Sequence, residues 1–466
     1  MTEYQVAKLI AERVQTAGGK AFFVGGWVRD RLLGREAKDI DLEVYGIDAA
    51  QLYELLETFG KVNTVGESFT VYKVGTIDIS LPRTESKQGR GHRGFIVTGD
   101  PNLTLVEAAK RRDFTINAIA WDPAREEYLD PFHGQEDLNK GLLRAVDQTT
   151  FGDDSLRVLR ALQLAARFQL TLDGPTIQLC QRMALDDLPA ERIWGELEKL
   201  LLLAEHPAHG LELGLKLGVV DKLFPELKSL VGCEQEPEWH PEGDVWIHTL
   251  MVIDEARARI VDLDRPQQIA LMLGAICHDF GKPSTTAFID GRIRSRNHEA
   301  AGVEPSRAFL DRLNVHKMLG YDVRGQVVGL VANHLKPGMW HQSVSPVSDG
   351  AFRRLAKKVD LDLLARLAKS DCLGRKGQFD CSAMDWFLDR ANVLGVEHQP
   401  PKPVLLGRHL VQMGLEPGPK IGRILKMVYE RQLDGSVTSL QTALSAARDI
   451  RDSGILACSP QRSTKP

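Results

Sequence analysis

An α+β fold, with a small mixed sheet in an N-terminal head followed by a long α-helical body, is predicted from two observations on the 466-residue sequence. Up to about residue 145, short apolar segments typical of strands alternate with segments that have helical spacing. Beyond about Phe151 the strand-like segments give way to continuous helical periodicity, as in SLRVLRALQLAARF. This change of pattern indicates a sheet domain joined to helical domains.

Two stretches of loop composition divide the helical body. The segment CEQEPEWHPEGD begins at Cys233, and the proline-rich segment HQPPKPV begins at His398. The end of the chain, SPQRSTKP, has the composition of a disordered segment. We therefore predict four domains: a head at 1–145, a helical neck at 146–232, a second helical domain at 233–390 and a helical tail at 391–466.

Composition and charge limit the classes of protein that are possible. With 43% hydrophobic and 26% charged residues, the chain is typical of a globular protein. It has no apolar run long enough for a membrane span, and its amphipathic N-terminus is unlike a signal peptide. The 6 cysteines include no CxxC pair, which predicts reduced thiols in a cytoplasmic protein and argues against a cysteine zinc site. A net charge of -4 means that any nucleic acid must be held by local basic patches.

The elements of the head are predicted in order from local patterns. The segments KAFFVGG and KDIDLEVYG are typical of strands, and AAQLYELLETFG has the spacing of a helix. The segment FTVYKVGTIDISLP predicts two short strands separated at Gly75. A turn-rich basic segment, Arg83 to Gly94, follows; it is either a solvated flexible loop or a segment that makes a fixed contact.

Alternate positions of the strand KDIDLEVYG carry acidic residues. Asp39 and Asp41 point to one side, whereas Ile40 and Leu42 point into the core. Two neighbouring carboxylates repel each other unless a cation lies between them, and Mg²⁺ prefers such oxygen ligands. The pair therefore predicts a magnesium site, although a DxD pair alone also fits a solvated strand edge.

Two further carboxylates are candidates for the same side of the sheet. Asp78, in the segment TIDIS, reaches the same ion if its strand lies next to that of Asp41. Glu43 shares the face of Asp41 but lies further along the strand, so we expect it behind the metal ligands or at the surface.

The glycine pair that ends the first strand is a candidate anion site. Gly25 and Gly26 allow backbone N–H groups to approach an anion closely, and Arg29 follows at a suitable distance. A simple turn is the alternative for the pair alone. The chain contains neither GxGxxG at this position nor GxxxxGK[ST], so neither a dinucleotide fold nor a P-loop is indicated.

Several ordered motifs resemble those of the nucleotidyltransferase superfamily, in the branch that holds bacterial class II CCA-adding enzymes and poly(A) polymerases. The motifs are GGWVRDRLLGREAKDIDLE, LPRTES, KRRDFTINAIAWD, DPFHGQEDLNKGLLRAV, FGDDSLRVLRALQLAARF and ERIWGELEKLLL. The resemblance implies that Asp39 and Asp41 hold catalytic Mg²⁺ ions. It also implies that Gly25, Gly26, Arg29 and Arg112 contact a nucleoside triphosphate, and it gives Arg160 a nucleotide-binding role.

The neck resembles the part of this family that selects the incoming base. The family motif Glu-Asp-x-x-Arg corresponds here to Asp153, Asp154 and Arg157. Asp154 and Arg157 are three residues apart in a segment of helical periodicity, so we expect them to share one face. A carboxylate beside a guanidinium matches the pairing edges of cytosine and adenine. Helix capping is the alternative for one of the two acidic residues.

A second metal site is indicated in the body. His248, the pair His278 and Asp279, and Asp371 lie in apolar segments, where an isolated charge would be costly. A single histidine there would usually be a core residue, but the order H…HD…D resembles the HD metal-dependent phosphohydrolase superfamily. Nitrogen and oxygen ligands together favour a transition ion such as Ni²⁺, Mn²⁺ or Co²⁺.

Three further residues of the body are candidates for substrate contacts. Lys282 is placed to meet a phosphate, and His298 and His334 are placed to bind substrate or a second ion. The HD resemblance implies 2′,3′-cyclic phosphodiesterase, 2′-nucleotidase and phosphatase activities on RNA ends.

The combined prediction is a tRNA nucleotidyltransferase that builds or repairs the 3′-terminal CCA from CTP and ATP. Its expected partners are tRNA and the two nucleotides, without DNA or membrane, and it is expected to be a monomer or a homodimer. The alternatives are a CC-only or A-only enzyme, a poly(A) polymerase, a protein-modifying nucleotidyltransferase and a silent RNA-binding module. Lys420, Arg423 and Lys426 in the tail are candidates for binding the body of the tRNA.

Overall fold

The computed structural model describes residues 1–36, 39–65, 71–87 and 95–453. The chain forms two compact units, Met1–Lys228 and Ser229–Pro466. The division lies close to the predicted boundary at 232/233. The finer division of each unit into two domains stays a prediction, and the predicted disorder of SPQRSTKP falls outside the described residues.

The first unit contains a mixed sheet of seven strands in the order β3-β4-β5-β2-β1-β8-β9. Its strands β2 and β5 are parallel, and its other neighbours are antiparallel. The strands of this unit are Lys20–Val24 (β1), Ile40–Tyr45 (β2), Val62–Val65 (β3), Val71–Val74 (β4), Ile77–Ser80 (β5), Arg83–Lys87 (β6), Phe95–Gly99 (β7), Ala120–Asp122 (β8), Glu127–Leu129 (β9), Leu142–Leu143 (β10) and Thr171–Leu172 (β11).

The helices of the first unit cover the sheet and then continue as the helical segment predicted beyond Phe151. They are Glu3–Thr16 (α1), Gly26–Leu32 (α2), Ala49–Glu57 (α3), Leu105–Lys110 (α4), Gly134–Asn139 (α5), Leu156–Phe168 (α6), Gly174–Arg182 (α7), Ala190–Leu203 (α8), Pro207–Lys216 (α9), Val219–Leu223 (α10) and Pro225–Lys228 (α11). Helix α1 starts with a capping box at Thr2 and Gln5 and buries Ile10 and Val14. The predicted α+β class, with a mixed sheet in the head, is confirmed.

The basic segment Arg83 to Gly94 is only partly the loop that the sequence predicts. Its first residues form β6, which pairs antiparallel with β7, because two extended segments here satisfy each other's backbone hydrogen bonds. Residues 88–94, including Arg90 and Arg93, lie outside the described residues.

The second unit is built around one helix with almost no exposed face. Its elements are Val245–Arg257 (α12), Arg265–Cys277 (α13), Lys282–Thr285 (α14), Thr286–Ile289 (β12), Arg292–Ser295 (β13), His298–Ala301 (α15), Val303–Arg312 (α16), Val323–Val331 (α17), Lys336–His341 (α18), Asp349–Ala356 (α19), Leu361–Leu373 (α20), Ser382–Val393 (α21), Gly407–Gln412 (α22), Pro419–Leu433 (α23) and Leu440–Asp452 (α24). Every residue of α13 from Ile269 to Cys277 is buried, and α12, α17 and α20 pack against this helix. A helix that is apolar on all sides is typical of the centre of a helical domain.

The last three helices share a small core of their own. Ile424 and Val428 of α23 are buried in it, and Ile421 and Leu425 pack against it, as their helical spacing predicts. Ion pairs join this tail to α19, including one of 3.0 Å between Arg354 Nε and Glu430 Oε2. Among the described residues, no helix combines the length and the apolar character that crossing a membrane requires.

The prediction that the thiols are reduced is wrong for one pair of cysteines. Cys372, at the end of α20, and Cys381, just before α21, form a disulfide, whereas Cys180, Cys233 and Cys277 are not disulfide-bonded. The sequence pattern does not reveal this pair, because nine positions separate the two cysteines and only the loop between the two helices brings their sulfur atoms together.

Candidate functional site

The predicted carboxylates meet at one end of two parallel strands. Asp41 of β2 lies opposite Asp78 of β5, and Asp39 lies just before β2. The neighbouring Ile40 and Leu42 are buried, so the predicted alternation is confirmed. All three aspartates line a cavity of about 820 Å³.

Burial and neighbouring negative charges both disfavour the ionised form of Asp41 at this edge of the sheet. Burial raises the pKa of Asp41 to about 6, nearby Arg112 opposes that shift, and the charges of Asp78 and Asp39 add to it. A divalent cation would relieve this repulsion, and oxygen ligands suit Mg²⁺, so these residues fit the predicted ion. Asp78 already has a cationic partner, because Lys73 Nζ lies 3.1 Å from its Oδ1.

The glycine pair forms the turn between β1 and α2. Gly25 has a φ of 71°, a conformation that residues with a side chain rarely adopt. A Cβ atom at Gly25 would lie 3.4 Å from both Arg112 Nη1 and Asp41 Oδ2. The turn therefore brings backbone close to the acidic edge, as a phosphate-binding role requires.

Arg29 is fixed in the wall of the same cavity. Its Nη1 donates to Asn117 Oδ1 at 2.7 Å, and its Nε donates to Asp30 Oδ1 at 2.8 Å. Its guanidinium also lies 4.3 Å from the centre of the Phe168 ring. Burial lowers the pKa of Arg29, although Asp30 opposes the shift.

Two adjacent arginines contact the buried carboxylate of Glu43. Arg111 Nη2 lies 3.0 Å from Glu43 Oε1, and Arg112 Nη2 lies 3.5 Å from Oε2. The hydroxyl of Tyr45 donates to Oε2 at 2.7 Å. Burial would raise the pKa of Glu43, but Arg112, Arg111 and Tyr45 outweigh it and lower the pKa. Glu43 is therefore buried beside the predicted metal ligands, and the surface position that the sequence left open is excluded.

The expectation that Asp154 and Arg157 share a helix face is wrong. Asp154 has an extended backbone ahead of α6, because the chain leaves a short 3₁₀ turn at Asp153 before the helix begins. Its Oδ1 accepts from the N–H of Leu156 at 3.1 Å, and its Oδ2 lies 3.0 Å from Arg192 Nη2.

Arg157 is held by backbone carbonyls rather than by Asp154. Its Nη1 donates to the carbonyl of Thr150 at 2.9 Å, and its Nη2 donates to the carbonyl of Arg111. Both Asp154 and Arg157 still line the cavity that contains Asp41. Their role in choosing the base stays a prediction.

A chain of polar contacts that the sequence did not reveal connects Arg29 to Arg160. Asn117 accepts from Arg29 and donates from its Nδ2 to Asp113 Oδ1 at 3.0 Å. Asp113 Oδ2 lies 2.9 Å from Arg160 Nη2, and these contacts with Arg160 and Asn117 keep the pKa of Asp113 low although the carboxylate is buried. The motif KRRDFTINA contains Asp113 and Asn117, but only the fold shows which side chains of the motif face the cavity.

The second group of predicted ligands also comes together. His248 of α12, His278 and Asp279 after α13, and Asp371 of α20 lie around one point. His248 Nε2 lies 3.0 Å from Asp371 Oδ1, and His278 Nε2 lies 3.2 Å from Asp279 Oδ2. The Nε2 atom of His278 has no hydrogen-bond partner among the described residues.

His298 and His334 complete this cluster. Their Nε2 atoms are 3.2 Å apart, and His298 Nε2 lies 3.4 Å from Asp279 Oδ1. Burial lowers the pKa of His334 to about 4, so its imidazole is neutral.

The hydrogen bonds of the histidines point their lone pairs inwards. The Nδ1–H groups of His278, His298 and His334 donate to the carbonyls of Ala275, Ser295 and Val331, each at 2.8 Å. In the neutral form of each ring, Nε2 then carries an unshared pair, and two such pairs facing each other are unfavourable without a cation. The cluster therefore fits one or two transition ions.

Two neighbours support the cluster, and only the first of them, Glu242, lies outside the predicted set. Glu242, in the segment taken only as a boundary, has its Oε1 2.9 Å from His248 Nδ1 and 2.8 Å from His240 Nδ1. Lys282 Nζ lies 2.7 Å from Asp279 Oδ2 and donates to Gln235 Oε1 at 2.6 Å. Its predicted phosphate contact stays a prediction.

The fold and the acidic cavity of the first unit define a nucleotidyltransferase of the poly(A) polymerase class. A protein-family model described as the poly A polymerase head domain matches residues 21–144. A second, described as a probable RNA and SrmB-binding site of polymerase A, matches residues 170–230.

Relatives then identify the family. The Multifunctional CCA protein of Xanthomonas campestris pv. campestris (strain B100) is 38% identical over 372 residues, 76% of this chain and 86% of that protein. That of Neisseria meningitidis serogroup C (strain 053442) is 34% identical over 387 residues, 82% of this chain and 84% of that protein. The chain belongs to the family of bacterial class II CCA-adding enzymes.

Solved structures agree on the fold. The Bacillus stearothermophilus CCA-adding enzyme in complex with CTP superposes with a TM-score of 0.66 at 22% identity, covering 97% of this chain and 98% of that chain. The Thermotoga maritima CCA-adding enzyme complexed with tRNA gives a TM-score of 0.56 at 19% identity, covering 97% of each chain.

Proposed function

We propose that this protein adds or repairs the 3′-terminal CCA of tRNA from CTP and ATP, without a nucleic-acid template. One observation carries the proposal: a single cavity is lined both by carboxylates that suit Mg²⁺ and by arginines that suit a triphosphate. These residues are Asp39, Asp41, Arg29, Arg112, Arg157 and Arg160. Curated relatives above 30% identity are named CCA proteins, which supports the same substrate.

The chemistry is transfer of a nucleotide to the RNA 3′-hydroxyl with loss of pyrophosphate. Mg²⁺ bound by Asp39 and Asp41 would supply charge to lower the pKa of the hydroxyl and to stabilise the leaving group. Arg29 and Arg112 offset triphosphate charge through charge-assisted hydrogen bonds. The turn at Gly25 lets the phosphates approach the backbone closely.

Base choice is assigned to Asp154 and Arg157. A guanidinium has five N–H donors, and the two carbonyl contacts of Arg157 leave others for the ring nitrogen of a base. The carboxylate of Asp154 would accept from the amino group that cytosine and adenine share. Uracil and guanine reverse this pattern of donor and acceptor, so acceptor would face acceptor and donor would face donor, and these bases would be rejected.

The second metal centre is proposed to hydrolyse phosphoesters at RNA 3′ ends, as a cyclic phosphodiesterase, nucleotidase or phosphatase. The support is the closeness of the ligand atoms, which lie within 4.8 Å of one another in each of two groups: His248, His278 and Asp371, and Asp279, His298 and His334. A bound Ni²⁺, Mn²⁺ or Co²⁺ would activate water for this reaction. Hydrolysis of a 2′,3′-cyclic nucleotide with each ion, and its loss in His278→Ala, test the assignment.

The deciding experiment for the main function supplies tRNAs that lack CCA, CA or only A with CTP alone, with ATP alone and with both nucleotides, and its outcomes are judged with both nucleotides present. Extension of all three to a complete end supports CCA addition. Arrest after CC, or use of only the tRNA that lacks A, would identify a partial enzyme. Long A tails would identify a poly(A) polymerase, and Asp39→Ala with Asp41→Ala should abolish all incorporation.

A further inference from the structure

A third carboxylate lies on the metal-binding face of β2 and takes no direct part in the proposed chemistry. Glu43 follows Asp41 by two positions, and its side chain is 1% exposed. It accepts hydrogen bonds or ion pairs from three groups, at 2.7 Å from Tyr45 Oη, 3.0 Å from Arg111 Nη2 and 3.5 Å from Arg112 Nη2. Buried ion pairs add little net stability compared with apolar packing, so stability alone does not account for this one.

Arg112 lies close to two carboxylates, Glu43 and Asp41. Its Nη2 is 3.5 Å from Glu43, while its Nη1 and Asp41 Oδ2 each lie 3.4 Å from the Cβ position of Gly25. A guanidinium that moved fully onto Asp41 would neutralise the charge that Asp41 offers to a metal. It would also turn its N–H groups away from an incoming triphosphate.

We infer that Glu43 is a positioning residue that keeps Arg112 directed at the triphosphate and away from Asp41. Tyr45 fixes the Glu43 carboxylate, and Arg111 offsets its second oxygen. The inference rests on the proposed nucleotidyl transfer. Through Arg112, Glu43 would affect the binding of both the metal and the nucleotide, although it contacts neither.

The test is Glu43→Gln, which keeps the size and one acceptor oxygen but removes the charge. We expect two constants to rise about tenfold each: the Mg²⁺ concentration for half-maximal CMP incorporation, and the KM for CTP. Loss of one charge-assisted hydrogen bond weakens binding by about this factor. The kcat at saturating Mg²⁺ and CTP should stay within about threefold of wild type. Tyr45→Phe, which retains the carboxylate, should shift both constants in the same direction by a smaller factor.

The matched control is Glu127→Gln. Glu127 lies in β9 of the same sheet, and its carboxylate is 3.4 Å from the exposed Arg125. Replacing Glu127 should change neither the Mg²⁺ dependence nor the KM for CTP. Wild-type Mg²⁺ dependence and KM in both Glu43→Gln and Tyr45→Phe would overturn the inference. A fall in kcat that simply follows a fall in melting temperature would overturn it as well.

Direct metal binding separates this inference from the function on which it rests. If wild type incorporates neither CTP nor ATP, the proposed function fails. Mn²⁺ titration followed by water-proton relaxation still tests Glu43, with the head sites defined as those lost in Asp39→Ala with Asp41→Ala. Weaker Mn²⁺ binding in Glu43→Gln, and no such loss when Arg112→Ala is also present, support the inference. Equal Mn²⁺ affinity in Glu43→Gln and wild type contradicts it.

Discussion

Asp41 shows how a single side chain is prepared for a cation by its surroundings. Burial raises its pKa to about 6, and the neighbouring Asp78 contributes in the same direction. Without a metal, the folded chain therefore retains a proton at pH values where the unfolded chain has lost it. This contribution to stability is complete below the ordinary pKa of aspartate and is lost as pH rises to about 6.

The same raised pKa predicts competition between protons and metal in the head. As pH falls below about 6, Mn²⁺ affinity at the head sites should drop, by up to about tenfold per unit, because binding must displace the Asp41 proton. Water-proton relaxation over a pH series measures this. Asp78→Asn removes a charge that raises the pKa, so the drop should begin at lower pH. A Mn²⁺ affinity that stays constant from pH 7 to pH 5, on either side of the Asp41 pKa of about 6, would contradict the prediction.

Glu242 predicts a different effect in the second centre. Its carboxylate contacts His248 Nδ1 and so leaves Nε2 for the metal. Glu242→Gln should weaken Ni²⁺ or Mn²⁺ binding there by about 10- to 100-fold, as is usual for a partner of a histidine ligand. Calorimetry on the full chain measures this, and CMP incorporation should be unchanged. Glu238→Gln, in the same segment but paired with exposed Arg292, is the control that should bind metal normally.

At the scale of single elements, the disulfide between α20 and the start of α21 predicts a redox effect on stability. Closing so short a loop stabilises a fold by about 2–3 kcal/mol. A phosphine reductant should therefore lower the melting temperature of the transition that belongs to the second unit. The variant Cys372→Ser with Cys381→Ser should melt lower from the start and should not respond to the reductant. Identical melting of wild type with and without reductant would refute the disulfide's contribution.

Elements with a strong local pattern were predicted well. The alternation along β2 predicted which side chains are buried, because strand geometry depends only on neighbouring residues. The position of Asp154 was not predicted, since one extended residue between a 3₁₀ turn and α6 breaks the helical spacing. The Cys372–Cys381 bond and the role of Glu242 depend on contacts between segments distant in sequence, which periodicity does not report.

At the scale of the whole molecule, the two units each carry one candidate metal site, and the two sites differ in their ligand chemistry. Oxygen ligands favour Mg²⁺ in the first unit, and imidazole with carboxylate favours a transition ion in the second. We predict that Asp39→Ala with Asp41→Ala abolishes CMP incorporation but leaves hydrolysis of a 2′,3′-cyclic nucleotide. His278→Ala with Asp279→Ala should have the reverse effect, measured in parallel assays on the full chain. Loss of both activities in either variant would show that the centres are not independent.

The burial of α13 extends the influence of the second centre beyond its ligands. His278 and Asp279 follow directly on the helix that forms the middle of its unit. A cation that fixes those two side chains also restrains the last turn of α13, and opening that turn requires releasing the ion. Loading with metal should thus slow deuterium uptake by the backbone amides of α13 over minutes to hours, even though none of the proposed ligands lies within this helix.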